Sequence, residues 1–201
     1  MTSRSYKLKQ RAESMADTRR RITEATAALH QEVGPARTTV SEIARRAGVG
    51  RLTVYNHFPD ERELFAACQA HYLAENPPPD LSELAAERDP DARLTQVLEA
   101  LYGYYRSTQL MTGNVDRDVR AMPVLREVVE AWRAPMFDAL TGALMRGRAL
   151  RGKRAARTRA AITLALEFRT WDTLASRGGL TDADAAGVAA GAVRAAAGPA
   201  S

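Results

Sequence analysis

Apolar residues recur along this chain at spacings of three and four, and no stretch alternates residue by residue as a half-buried strand would. Ile22, Ala25, Leu29 and Val33 fall on one face of a helix expected from about Asp17, which Gly34-Pro35 stops. Residues 1–14 are polar and read as a flexible arm. Thr39-Val40-Ser41-Glu42 has the form of a capping box, with the Thr39 hydroxyl accepting from the backbone three residues on and Glu42 reaching back. The short helix after it turns Ile43, Ala44 and Ala47 inward and Arg45 and Arg46 outward, and Gly48 interrupts it. A second short helix runs from about Arg51 to His57. Phe58-Pro59-Asp60 ends it and opens a fourth, with Asp60 as N-cap, Glu63 at its third position and Leu64, Phe65, Cys68 and Tyr72 as its apolar stripe.

Asn76-Pro77-Pro78-Pro79 is the sharpest break, because three prolines cannot continue a helix. It sets the expected domains at 1–75 and 76–201, with the fourth helix as their link. Beyond it, Asp89-Pro90 caps a helix whose Leu94, Val97, Leu98, Leu101 and Tyr105 share a face, and Gly113-Asn114 is expected to end it. A helix from about Val115 or Pro123 to Trp132, and another from Pro135 to near Ala149, are expected next. A long helix then spans roughly 154–176, Gly178-Gly179 stops it, and Thr181 caps a last Ala-rich helix over Asp182–Ala197. The pattern is all-α and contains no internal repeat.

Charge changes this picture in one respect. Residues 1–60 carry 11 Lys/Arg and 6 Asp/Glu, whereas residues 61–201 carry 18 of each, so the whole net charge of +5 sits in the first third. A basic segment beside a neutral body implies a polyanion partner, nucleic acid first, or else a solvated basic tail. Apolar residues, 45% of the chain, suffice for a packed core, yet no apolar run approaches the ~20 residues that cross a bilayer. The basic N-terminus has no apolar stretch behind it, so it is no secretory signal. One cysteine, Cys68, excludes a disulfide framework within the chain, and a reduced cytoplasm is the expected location.

The chemistry concentrates in residues 39–58, TVSEIARRAGVGRLTVYNHF. Two short helices joined by a tight, glycine-containing turn fit a helix-turn-helix. Ala44 is small where the helices cross, and Gly48 can take the left-handed conformation of the turn. Ile43, Ala47, Val49, Val54 and Phe58 would hold the pair together, leaving Arg51, Thr53, Tyr55, Asn56 and His57 mostly outside, a polar face suited to a major groove.

On these residues the sequence resembles the TetR (tetracycline-repressor-like) family of bacterial regulators. The match lies in Ile22 to Leu29, Thr39-Val40, Ile43-Ala44, Ala47-Gly48-Val49, Thr53-Val54-Tyr55, His57-Phe58-Pro59 and Leu64, about 50 residues in all. The resemblance implies an N-terminal three-helix DNA-binding domain and a C-terminal helical domain for ligand binding and dimerisation. It also implies that Thr39 contacts a phosphate and that Arg51 is the main base reader. Thr53 and Asn56 would touch bases or phosphates, and Tyr55 and His57 would donate to phosphates. Leu52 would either pack on a thymine methyl or belong to the core. Glu61 departs from the lysine usual at that place in the family, and either Arg62 or the backbone N–H groups of that helix start would replace it. Arg4, Lys7, Lys9 and Arg11, with the triplet Arg19-Arg20-Arg21, would add phosphate or minor-groove contacts, or form a solvated tail.

By the same resemblance the C-terminal part would hold a small hydrophobic effector and no cofactor. Tyr104, Met111, Trp132, Phe137 and Trp171 are the candidate lining, with Arg169 or Asn114 as a polar handle; ordinary core packing is the alternative for each. The last two helices offer apolar faces to a second copy, or to packing within the chain, through Ala160, Ile162, Leu164, Ala165, Leu166 and Leu174, and through Gly187, Val188, Ala189, Gly191, Ala192 and Val193. The expected function is a homodimeric repressor of palindromic operator DNA that an effector releases through the fourth helix; an activator and an architectural DNA-binding protein are the alternatives. An all-helical enzyme is disfavoured. His30, His57 and His71 are the histidines, no phosphate loop or nucleophile motif is present, and Cys68 and His71 at i, i+3 have no third metal ligand in sight.

Overall fold

A computed structural model describes residues 2–80 and 87–198, and within helices the side chains from Tyr6 onward. The described residues are helical, with turns between them, and form two compact units. One unit comprises the chain up to Pro77 together with Gly113–Val128; the other comprises Pro78–Thr112 and the chain from Val129 onward.

The first unit contains α1 (Thr2–Glu32), a 3-10 turn (Pro35–Arg37), α2 (Val40–Ala47), α3 (Arg51–His57) and α4 (Glu61–Glu75). Ile22, Ala25 and Leu29 of α1 meet Ile43, Ala44 and Ala47 of α2, Val54 of α3, Phe58 and Leu64 in one core. Each large apolar side chain so buried contributes about 1.5–3 kcal/mol. Val33, expected on that face, lies beyond the end of α1 and is exposed. The Thr39 hydroxyl accepts from Glu42 N at 3.2 Å, but Glu42 pairs with Arg45 instead of reaching back, so half of the expected capping box forms. Asp60 caps α4 by accepting from Arg62 N at 2.9 Å.

Helix α1 corrects the reading of the arm as flexible. It begins at Thr2, not near Asp17, because residues 2–16 contain neither Gly nor Pro, and Lys9–Glu13 and Gln10–Tyr6 pair at helical spacing. The side chain of Arg4 lies outside the described residues.

The second unit is built from most of α5 (Pro90–Asp118), the later part of α6 (Pro123–Met145), α7 (Gly152–Leu166), α8 (Phe168–Trp171), a π turn (Asp172–Ser176) and α9 (Asp182–Ala197). Leu94, Leu98 and Tyr102 of α5, Leu144 of α6, Ile162 and Leu166 of α7, Trp171 of α8 and Val193 of α9 are all fully enclosed. Three expected boundaries move. Helix α5 passes through Gly113 and ends at Asp118, since an isolated glycine costs a helix only about 1 kcal/mol. Pro135 lies inside α6 and does not start a new helix; its ring removes a single backbone donor on a largely exposed stretch, which packing on either side can carry. The expected 154–176 helix breaks at Glu167, whose backbone is extended. The carbonyls freed there are taken up by tyrosines: Tyr102 donates to Ala165 O at 2.9 Å and Tyr105 to Leu166 O at 2.7 Å.

Candidate DNA interface

The turn between α2 and α3 follows from two residues. Gly48 closes α2 in the left-handed conformation, φ 66°, and Val49 N donates to Ala44 O at 3.0 Å. Helix α3 is then held from below by Val54 and Phe58, both buried. Two arginines of α1 complete the frame. Arg19 donates to the His57 carbonyl at the end of α3 and lies 3.9 Å over the Phe58 ring. Arg21 donates to Ala47 O at the end of α2, at 3.1 Å. The triplet Arg19-Arg20-Arg21 is therefore spent within the chain, since Arg20 bridges Asp17 and Glu24. These partners give the triplet a place in the frame; for Arg20 the signal available in the sequence was Asp17 and Glu24 at helical spacing.

Among the residues singled out on α3, Arg51, Leu52, Tyr55 and Asn56 are exposed, and Thr53 and His57 are half-buried. Thr39 is exposed at the start of α2. Leu52 is 72% exposed, so of its two readings the core one falls. Arg62 is engaged by Glu127, and that partner holds its guanidinium cationic. Its stand-in role for a lysine at Glu61 would require exchanging this ion pair for a phosphate. Glu61 is exposed beside it.

Behind the interface, the end of α5 grips the turn that leads into α2. Asn114 donates to the carbonyls of His30 and Gln31 at 3.0 and 2.9 Å, Arg117 donates to Val33 O at 3.1 Å, and Asp118 accepts from Ala36 N at 3.0 Å. Burial alone would raise the Asp118 carboxyl; the hydrogen bonds from Arg117 and Ala36 outweigh it and hold it below the usual range. Asn114, weighed as an effector handle, is thus a structural clamp. Beside it, Cys68 Sγ lies 3.4 Å from His30 Nδ1, its neighbour in place of His71. Burial pushes the Cys68 thiol up to about 12 and His30 down to about 4.

In the second unit, Trp171 is part of the hydrophobic core, and the partly buried Tyr104 and Phe137 pack against that core. Trp171 is fully buried and donates through its indole to Asp182 at 2.8 Å. Met111 is buried on α5, whereas Trp132 is 37% exposed on α6. On the face assigned to a second copy, Ile162, Ala165, Leu166, Ala189 and Val193 are buried in this chain's own core. That corrects their assignment: the sequence pattern shows an apolar face and not which neighbour covers it. Ala160, Leu164, Gly187, Val188 and Ala192 remain exposed.

The arrangement of α2, the Gly48 turn and α3 in the first unit is that of a helix-turn-helix. Residues 22–68 match the family described as bacterial regulatory proteins, tetR family. An uncharacterized HTH-type transcriptional regulator of Mycobacterium tuberculosis is 35% identical over 96 residues, 48% of this chain and 49% of that protein. The chain thus spans about half the length of the curated relatives it matches. FadR from Bacillus subtilis, solved in complex with stearoyl-CoA, shares the fold with a TM-score of 0.60 at 17% identity, over 89% of this chain and 97% of that one. RolR, solved with resorcinol, does so with a TM-score of 0.53 at 20% identity, over 94% and 97%. The likeness to the tetR family of bacterial regulatory proteins thus rests on residues 22–68, about a quarter of the chain. Among the described residues, no helix is long and apolar enough to cross a membrane.

Proposed function

We propose that this protein is a homodimeric repressor that binds palindromic operator DNA through α3 and is released by a small, largely apolar effector. The observation that carries the reading is the outer face of α3. Arg51, Tyr55 and Asn56 stand exposed on a seven-residue helix that Val54, Phe58 and Arg19 fix from behind, while Arg21 holds the end of α2 before the turn. A cation, a phenol and an amide on a rigid helix match the donor–acceptor code of the major groove. Arg51 reads a guanine, Thr53 and Asn56 touch bases or phosphates, and Thr39, Tyr55 and His57 anchor to phosphates. Leu52 packs on a thymine methyl.

One such helix binds weakly, so two must act together. The exposed stripe of Ala160 and Leu164 on α7 with Val188 and Ala192 on α9 is the surface for the second subunit. Tyr104, Met111, Trp132, Phe137 and Trp171 are the proposed effector lining. The stearoyl-CoA of FadR and the resorcinol of RolR support a body that accepts apolar or aromatic molecules. The effector favours a state in which the two recognition helices no longer match successive major grooves. Selection from a random pool of duplexes tests the reading. A palindrome with half-sites one helical turn or a multiple apart is expected; failure to retain any duplex even at low ionic strength overturns it.

A further inference from the structure

We propose that the overhanging N-terminal part of α1 is a second DNA contact, docking on the phosphate backbone beside the site read by α3; this rests on the DNA-binding reading above. Helix α1 does not stop where its core contacts stop. Ile22 is fully enclosed, and Arg19 ties α1 to the last turn of α3, but residues 6–17 are exposed throughout. At 1.5 Å per residue, the helix out to residue 6 reaches roughly 20 Å beyond that tie.

The face of the overhang matters more than its length. Positions 8, 11, 15, 18 and 22 follow one another at three and four, so they share one side of the helix. At Ile22 that side faces the core beneath α2, α3 and α4. Further out it carries Leu8, 62% exposed, Arg11, and Met15, 56% exposed. The overhang thus turns toward the α3 side of the unit a face with nothing of this chain against it.

Charge selects the occupant. Residues 6–16 contain Lys7, Lys9 and Arg11 against Glu13 alone. Lys7 and Arg11 are i, i+4, a like-charge pair that disfavours an isolated helix. Glu13 reaches Lys9 only loosely, at 3.9 Å. The arginines that follow are held internally: Arg19 by a backbone carbonyl and Arg20 by Asp17 and Glu24. Lys7 and Arg11 instead share the face of Leu8 and Met15, with Lys9 on the other side of the helix, and form an exposed basic end about 12 Å or more out from the Arg19 tie that a polyanion would neutralise. A DNA backbone running past α3 supplies such a polyanion, with apolar sugar edges for Leu8 and Met15.

The test uses the full chain and its Lys7→Ala/Lys9→Ala/Arg11→Ala variant on a fluorescent 40-base-pair duplex of arbitrary sequence, titrated from low to high salt. No core contact is touched, so the variant should keep its unfolding temperature. The slope of log affinity against log salt should fall in magnitude by about 2–3 for each subunit bound. A Lys7→Arg/Lys9→Arg/Arg11→Lys variant should keep the original slope. Equal slopes for the native chain and the alanine variant overturn the proposal. So does a variant that loses self-association or binding to anionic vesicles while its slope on DNA is unchanged. A native chain that binds no duplex at all would sink the DNA-binding reading itself, which is a different outcome.

Discussion

Arg51 opens α3, and its side chain reaches out from a helix whose inner residue, Val54, is 1% exposed. Because the scaffold does not depend on it, Arg51→Ala should leave the unfolding temperature unchanged. It should relax base preference at one position of each half-site, at a cost of about 1–3 kcal/mol. Equal weakening on all sequences would instead make Arg51 a phosphate contact. Gly34 is the opposite kind of residue. Its φ is 95°, and a Cβ there would lie 2.1 Å from Arg117 Nη2 and 2.6 Å from Asp118 Oδ2. Gly34→Ala should therefore destabilise by about 1–3 kcal/mol in thermal unfolding and loosen the turn into α2. His30 carries a pH dependence. Burial holds its pKa at about 4, against the pull of Asp118, so the folded state keeps it neutral while the unfolded chain protonates it near 6.5. Its contribution is intact above pH 6.5 and is lost as pH falls toward 4, by about 2 kcal/mol between pH 7 and 5. Urea midpoints at the two pH values should converge in His30→Leu more than in the native chain.

At the scale of elements, the chain announces its helices better than their ends. Thr39, Gly48, Asp60 and Thr181 mark boundaries that the structure keeps, because each supplies a cap or a left-handed residue by its own local chemistry. Gly113 and Pro135 resemble boundaries but are overruled, since packing on either side outweighs one missing side chain or one missing donor. The break at Glu167 has no Gly or Pro to signal it. It is stabilised from a distance by Tyr102 and Tyr105, some sixty residues earlier, and no local pattern can show that. Tyr102→Phe leaves the Ala165 carbonyl enclosed without that donor. It should cost about 1–3 kcal/mol, read as a lowered urea midpoint with no change in DNA affinity. The exposed face of α3 was legible for the converse reason: a short helix between Gly50 and Phe58-Pro59 has few faces, and the apolar one identifies the other. The fate of Arg19-Arg20-Arg21 was legible only in part, because the carbonyls that hold Arg19 and Arg21 are backbone atoms brought close by folding.

For the whole molecule, the proposed subunit pairing is the property most open to a direct check. Leu164 is 64% exposed on α7, while its neighbours Ile162 and Ala165 are enclosed in the chain's own core. Leu164→Arg should leave the fold intact and shift sedimentation from dimer to monomer, with operator affinity falling alongside. A variant that remains dimeric would move the interface elsewhere. The clamp of Asn114, Arg117 and Asp118 on the turn before α2 bears on how this protein can be re-engineered. A chimera spliced at the proline run would give the helix-turn-helix half a foreign version of Gly113–Val128, and with it a turn whose carbonyls and N–H have lost their partners. Exchanging the second unit of this chain therefore calls for two crossover points, with that short internal segment transplanted along with the N-terminal helices.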